Sequence, residues 1–292
     1  MRAALIFNPR SGRGHRRPTE KLLTSVLDDL REGGIEGEPM PTEGTGHATV
    51  LARNAVADRF DRVVAWGGDG TINEVVSALV RTDVPLGVLP GGTVNVFARE
   101  TGLGTELRAA VRHLVLGRIV RIPVGVANGR PFLSMAGAGL DAEVVYRLKG
   151  SLKDRLGALA FWLNGFRALA HYSMSPIRAR CEEMEFVATS VIAGKIRRYG
   201  PRYFMTPEAR LDEPKLHVIG FQGKGIKYLK YLIGVIGQFH LRFDDVANVK
   251  TDRITLTAEA EHEVCYQLDG EPAGHLPVTI EVIEDALSVV LP

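Results

Sequence analysis

The sequence predicts an α/β domain built on a parallel sheet, followed by a mainly β domain. Three observations predict it. The chain has 292 residues, comfortable for two domains at roughly 100–200 residues each. Short apolar strands alternate with helical patterns up to about residue 122, which is the rhythm of a parallel sheet with helices on its faces. Beyond residue 122 the apolar positions recur with a period near two, the mark of half-buried strands. The expected domains are therefore residues 1–122 and 123–292.

Ala3 to Phe7 is a short apolar run stopped by Asn8-Pro9-Arg10-Ser11-Gly12, hence a strand and a turn. Leu22, Leu23, Val26, Leu27 and Leu30 share one face of a helix closed by Gly33-Gly34. Pro39 to Gly46 reads as a turn-rich loop carrying Thr42, and Ala48 to Ala57 as a helix. Arg62 to Trp66 is a strand, Gly67 to Thr71 a glycine loop, and Ile72 to Val80 a helix. Pro85 to Leu89 is a strand followed by Pro90-Gly91-Gly92-Thr93, and Leu107 to Leu116 is a helix. Val124 to Ala127, Asn128-Gly129, and Pro131 to Leu133 predict a hairpin, because Asn-Gly suits the positive φ angles of a tight turn. Arg155 to Ala170 reads as an apolar helix. Alternation at 254–257, 264–268 and 278–282 predicts three strands.

Composition narrows the function. Lys and Arg total 36 against 34 Asp and Glu, too even for a dedicated nucleic-acid binder. Two distant cysteines, Cys181 and Cys265, exclude a disulfide framework and a Cys-x-x-Cys zinc pair, and point to a reducing compartment. His262-Glu263 lacks the second histidine of a zinc-protease helix. No apolar run approaches the ~18 residues of a spanning helix, and the first apolar run is too short for a signal peptide.

The chemistry concentrates in three loops. Val63 to Glu74 runs from an apolar strand through Gly67-Gly68-Asp69-Gly70-Thr71 into a helix. Glycines allow close approach of a bulky anion, and the first helical N–H groups are unpaired donors. Together these can cradle a phosphate. A lone Gly-Gly-Asp-Gly is equally compatible with a plain turn. Here, however, Asn8 to Gly12 and Pro90 to Asn95 follow neighbouring strands, and ligands of open α/β sheets collect at strand carboxyl ends. The P-loop, a proper Gly-x-Gly-x-x-Gly and the kinase His-Arg-Asp are missing.

Asn-Pro-x-Ser-Gly at 8–12, Gly-Gly-Asp-Gly-Thr-x-Asn-Glu at 67–74, Leu-Pro-Gly-Gly-Thr-x-Asn-x-Phe-Ala-Arg at 89–99 and Asp-Gly-Glu at 269–271 together resemble the diacylglycerol kinase catalytic-domain family, which includes bacterial soluble lipid kinases and the sphingosine kinases. The resemblance runs over nearly the whole chain. It implies an N-terminal domain similar to phosphofructokinases and NAD kinases, a C-terminal β-sandwich, an active site between the two, and a last strand, 287–291, that returns to the first domain. It implies ATP as phosphoryl donor, contacting Asn8, Pro9, Arg10, Ser11, Gly12, Thr42, Gly67, Gly68, Asp69, Gly70, Thr71, Ile72, Asn73 and Thr93. It makes Glu271 the acceptor of the lipid hydroxyl's proton and puts Asp69 near the phosphates and a catalytic Mg²⁺. Ionised carboxylates suit both roles. By itself, Glu271 would read as a solvated turn carboxylate.

One turn departs from the family pattern. Family members often bind a structural Mg²⁺ through an acidic side chain and flanking carbonyls of a Leu-x-Asp-Gly-x-Leu-like turn. Here residues 210–216 read Arg-Leu-Asp-Glu-Pro-Lys-Leu. Glu213 takes the acidic position, Pro214 replaces glycine, and Arg210 and Lys215 remain to offer carbonyls. A longer acid and a fixed φ put that coordination in doubt.

The implied partner is a diacylglycerol-like or sphingoid lipid at a membrane surface, with a cytoplasmic protein peripheral at the inner face. Lys224, Lys227 and Lys230, interleaved with apolar residues, suit either a membrane-facing helix or a core helix with a solvated lysine face. Lys195, Arg197, Arg198 and Arg202 are further basic candidates, and the helix within 156–170 either lines an acyl cleft or is core. Arg10, Arg13, Arg16 and Arg17 could draw in an anionic nucleotide or form a solvated arm. An NAD kinase-like enzyme, a non-catalytic nucleotide-binding regulator and a soluble alcohol acceptor stay open, as does monomer against homodimer.

Overall fold

The computed structural model describes residues 1–12, 18–147, 174–259 and 263–292. Arg13, Arg16, Arg17, His262 and the expected helix at 155–170 lie outside the described residues. The chain divides into two compact units, Met1–Val124 with Ile283–Pro292, and Gly125–Val282.

The first unit is α/β. Its elements are β1 (Arg2–Phe7), α1 (Glu20–Glu32), β2 (Glu36–Pro41), α2 (His47–Ala57), β3 (Arg62–Gly67), α3 (Asp69–Leu79), β4 (Leu86–Pro90), α4 (Val96–Glu100) and α5 (Leu107–Leu116). The sheet runs β2-β1-β3-β4, all parallel. β1, β3 and β4 are buried nearly throughout because helices cover such strands on both faces. Val26 and Leu30 of α1 and Ala110 and Leu114 of α5 pack with Leu5, Val64, Trp66 and Leu89 in one core. Thr19 caps α1, its hydroxyl accepting from the Leu22 N–H at 3.3 Å.

Two local expectations are corrected, and one element is added. Residues 39–41 belong to β2 rather than to a loop. β2 is a polar edge strand, so it lacks apolar alternation, and its Pro39 and Pro41 are tolerated at an edge. The helix expected from Ile72 begins at Asp69, so most of the glycine motif is the first turn of α3. α4 was not foreseen, being only five residues long.

β5 (Arg118–Ala127) leads into the second unit and pairs there with β6 (Arg130–Phe132) across Asn128 and Gly129, at φ 45° and 83°. Then come β7 (Met135–Gly139), α6 (Leu140–Arg147), β8 (Ile177–Arg180), β9 (Glu185–Ala188), β10 (Ser190–Gly194), the short pair β11 (Arg198–Tyr199) and β12 (Tyr203–Phe204), and β13 (Leu216–Phe221). They are followed by α7 (Tyr228–Ile236), β14 (Val246–Thr251), β15 (Arg253–Ala258), β16 (Cys265–Leu268), β17 (Glu271–His275) and β18 (Val278–Leu291). An antiparallel sheet runs β14-β13-β10-β7-β16-β17. A second joins residues 278–281 of β18 to β15, β8 and β9. Inward residues of both, such as Ala138, Val191 and Val218 against Ile177, Leu256 and Ile280, form one core, which makes this unit a β-sandwich. The last residues of β18 fall in the first unit, where Val289 pairs in parallel with Leu86 of β4.

Candidate functional residues in the two units

In the first unit the three loops emerge side by side from the carboxyl ends of β1, β3 and β4. The Asn8 amide Oδ1 accepts the Arg10 N–H at 2.9 Å, while the Ser11 N–H and hydroxyl both donate to the Asn8 carbonyl at 3.0 Å. That is an Asx-type turn, stiffened by its own side chains, and Gly12 follows at φ 82°. Thr42, just past β2, donates its N–H to the Phe7 carbonyl at 2.8 Å and so lies beside the first loop.

The second and third loops touch through their backbones. The Gly91 N–H donates to the Gly67 carbonyl at 2.8 Å. A Cβ on Gly92 would fall 2.6 Å from the Gly68 Cα, and one on Gly91 would fall 3.2 Å from both the Gly67 Cα and the Ser11 Oγ. The glycines are there because two chains approach within the space a methyl group would take. Asn95, fully buried at φ 52°, closes the third loop with a reciprocal pair of 2.9 Å bonds to the Gly92 N–H and carbonyl.

Asp69 joins the two loops. Its Oδ1 accepts the Val96 N–H at 2.8 Å, at the start of α4. Burial raises this carboxyl above the ordinary carboxylate range, and the amides of Val96, Phe97 and Asn95 oppose the shift. A carboxylate is the oxygen donor a hard cation takes, and Mg²⁺ needs only one or two of them when substrate phosphates supply other oxygens. The donor set therefore fits Mg²⁺ shared with phosphates. Of the other implied nucleotide contacts, Gly70 and Thr93 are exposed. Ile72 contributes least: its side chain is buried and its N–H is taken by the Gly68 carbonyl at 3.1 Å.

Glu74 serves a role that the motif alone did not reveal. Its carboxylate accepts the Gly46 N–H at 2.8 Å and the Ala48 N–H at 3.1 Å. It thus caps α2, whose own N-cap, Gly46, has no side chain. Glu74→Ala is expected to cost about 1–2 kcal/mol. The check is a lower urea midpoint together with faster amide exchange in the first turn of α2.

In the second unit the Asp-Gly-Glu turn joins β16 to β17. Asp269 and Gly270 sit at φ 49° and 81°, the tight hairpin geometry that Asp-Gly favours. The Asp269 carboxylate accepts three amides at 2.8 Å: Leu133 N–H on Oδ2, and Ser134 and Met135 N–H on Oδ1. The Gln267 Oε1 accepts the Gly270 N–H at 2.7 Å, and its Nε2 donates to Asp141 Oδ2 at 2.8 Å. The Tyr199 hydroxyl donates to the other Asp141 oxygen. Burial raises the carboxyl of Asp141, and it drives the Tyr199 hydroxyl well above its usual range. A Cβ on Gly137 would lie 1.9 Å from Asp141 Oδ2, so only glycine admits this carboxylate over β7. Glu271 opens β17 on the hairpin held by this network, with its side chain exposed.

The other candidates separate cleanly. Lys195, left open as a basic candidate by the sequence, is 1% exposed and lies inside the unit. Its Nζ donates to the carbonyls of Arg210 at 2.7 Å and Leu211 at 2.9 Å. Burial pulls this ammonium down to about 8, against the pull of Asp212 and Glu213. Arg197 and Arg198 lie over the Phe204 ring at 5.6 and 4.9 Å. Lys230 pairs with Asp245 at 2.6 Å, whereas Lys224 and Lys227 are exposed. α7 buries Tyr228, Tyr231 and Val235 but leaves Leu229, Ile233 and Ile236 at 42%, 54% and 52% exposure. Among the described residues no helix is long and apolar enough to cross a membrane, and no three His, Cys, Asp or Glu side chains cluster as metal ligands. Burial pushes the Cys265 thiol up to about 12, which makes it a poor nucleophile.

Comparison with known proteins identifies the family. Residues 2–127 match the family described as diacylglycerol kinase catalytic domain, and residues 134–291 match the YegS C-terminal NAD kinase beta sandwich-like domain. The chain is 30% identical to the diacylglycerol kinase of Bacillus subtilis, covering 100% of this chain and 96% of that one. It is 28% identical to the diacylglycerol kinase of Staphylococcus saprophyticus, covering 100% and 95%. The crystal structure of a diacylglycerol kinase from Bacillus anthracis superposes with a TM-score of 0.79 at 25% identity, covering 100% of this chain and 97% of that one. Both halves of the chain and its full length therefore give the same answer: it belongs to the diacylglycerol kinase catalytic-domain family, a family of lipid kinases.

Proposed function

We propose that the protein transfers the γ-phosphoryl group of ATP to a hydroxyl of a diacylglycerol-like or sphingoid lipid, with Mg²⁺. The observation that carries this reading is the backbone contact of the glycine loops: Gly91 and Gly92 meet Gly67 and Gly68 beside Ser11, at the carboxyl ends of adjacent parallel strands. Such a surface presents backbone to a polyphosphate with no side chains in the way.

In this reading Asn8 to Gly12, Thr42, Gly67 to Asn73 and Thr93 surround the nucleotide, Ile72 only through the position of its backbone. Asp69 would hold Mg²⁺, which neutralises phosphate charge when bound. Glu271 takes the proton of the lipid hydroxyl as it attacks phosphorus. Asp269 and Gln267 hold the hairpin that presents Glu271. Phosphoryl transfer needs positioning and charge neutralisation above all, so rigid loops and a braced hairpin are the relevant equipment. The exposed apolar stripe of α7, flanked by Lys224 and Lys227, supports a peripheral membrane position, since acceptors of this class reside in bilayers.

The test is incubation with labelled ATP, Mg²⁺ and a total lipid extract, the labelled product being identified by mass. NAD is included as a competing acceptor. A labelled phospholipid supports the reading, and labelled NAD or no product overturns it. Gly92→Ala is expected to weaken ATP binding about 10²-fold or more, because its methyl group would push the Gly68 backbone out of register. Titration with ATP, beside a melting curve to confirm folding, measures this.

A further inference from the structure

The 210–216 turn shows an arrangement that its family resemblance does not anticipate. A divalent ion there would need the carbonyl of Arg210, a second carbonyl at Lys215 and the carboxylate of Glu213. The Arg210 carbonyl already accepts the Lys195 ammonium at 2.7 Å and the Glu213 N–H at 3.3 Å. A carbonyl oxygen has two lone pairs, and both are engaged. The neighbouring Leu211 carbonyl accepts the same ammonium at 2.9 Å. Glu213 turns to Lys250, whose Nζ lies 3.1 Å from Oε2, with both side chains about one-third exposed at 33% and 29%. Asp212 is held by the Arg210 guanidinium through two bonds at 3.0 and 3.1 Å. The Arg210 carbonyl and the Glu213 carboxylate, two of the donors a metal would need, are thus already engaged.

The surroundings deliver Lys195 to this place. It follows β10 directly, and its N–H donates to the Ser134 carbonyl at 2.8 Å, which fixes the start of the side chain. β10 pairs with β13, Gly194 opposite His217, so Lys195 emerges beside the turn that feeds β13. The Thr206 hydroxyl donates to the Ile196 carbonyl at 2.7 Å and ties the following loop to the same end of the strands.

We infer that the Lys195 ammonium is the resident cation of the 210–216 turn, so that this chain needs no divalent metal ion there. Lys195 satisfies the carbonyls and Lys250 the carboxylate. Two single charges on tethers divide the work that one divalent ion would do, and no ion has to be recruited when the chain folds. The turn and its strand are thus independent of Mg²⁺, whatever the catalytic step requires.

The experiment uses the full chain without nucleotide, in excess MgCl₂ and in EDTA. It follows thermal unfolding and amide exchange of residues 206–216. The expected result is that wild-type midpoints and exchange rates coincide in the two buffers. Lys195→Met, which keeps an apolar stem but removes the ammonium, should lower the midpoint by about 5–10 °C in both. Glu213→Gln should lose the Lys250 contact and its charge's pull on Lys195, and remain insensitive to Mg²⁺. A saturable Mg²⁺ protection of residues 206–216 in the wild type that disappears in Glu213→Gln would overturn the inference. Should Lys195→Met fail to fold, the wild type and Glu213→Gln decide alone. Because every readout is stability or exchange, failure here leaves the kinase reading intact, and failure of the lipid assay leaves this one intact.

Discussion

Glu271→Gln is expected to lower phosphoryl transfer about 10²–10⁴-fold, the usual worth of a positioned general base. Glutamine keeps the size and shape of the side chain but has no carboxylate to accept the hydroxyl proton. The residue is exposed at the first position of β17, so the change leaves the core untouched. The hairpin beneath it is held by Asp269 and Gln267. Folding and ATP affinity should therefore stay at wild-type values while kcat collapses. The check is a lipid-phosphorylation assay run beside an ATP titration and a melting curve. Undiminished turnover in a folded Glu271→Gln protein would remove Glu271 from the chemistry.

Asp269→Asn should damage both stability and rate, through a single atom. The carboxylate accepts amides on both oxygens, Leu133 on one and Ser134 and Met135 on the other. Asparagine can accept on only one side. Its Nδ2 then points a donor at another donor, most simply the Leu133 N–H, which loses its partner. Losing a charge-assisted acceptor and stranding an amide costs about 2–4 kcal/mol. The hairpin should loosen, so kcat falls even under conditions where the variant is fully folded. ATP affinity should not change, because the proposed nucleotide contacts belong to the first unit. Urea denaturation gives the first quantity, and turnover at low temperature with saturating ATP gives the second. A wild-type midpoint would show that the three amide bonds carry no weight.

The fold class was legible because its signals are local. Strands such as Arg62–Gly67 and Leu86–Pro90 are apolar runs bounded by turns, and α1 repeats its apolar positions at helical spacing. β16 and β18 are reached through alternation. β2 was missed for the converse reason: an edge strand with Glu36, Glu38 and two prolines has no apolar code to read. α4 and α6 are too short for their periodicity to stand out.

Glycines, turn acids and cap residues are chemically distinctive wherever they occur, so the sequence by itself determined the candidate loops, the Asp-Gly-Glu turn and the fold class. Partnerships were decided only by tertiary structure. Glu74 reaches α2, Asp69 reaches α4, and Gln267 bridges Gly270 to Asp141, each across a stretch of chain that carries no local signal of the pairing. Lys195 is the clearest case. Beside Arg197 and Arg198 in the sequence it reads as one more surface cation, yet the pairing of β10 with β13 buries it on two carbonyls of a turn 15 residues away. Charge and residue type are properties of a position in the chain. Which lone pair a charge meets depends on which strands align, and that is decided only when the whole sheet forms.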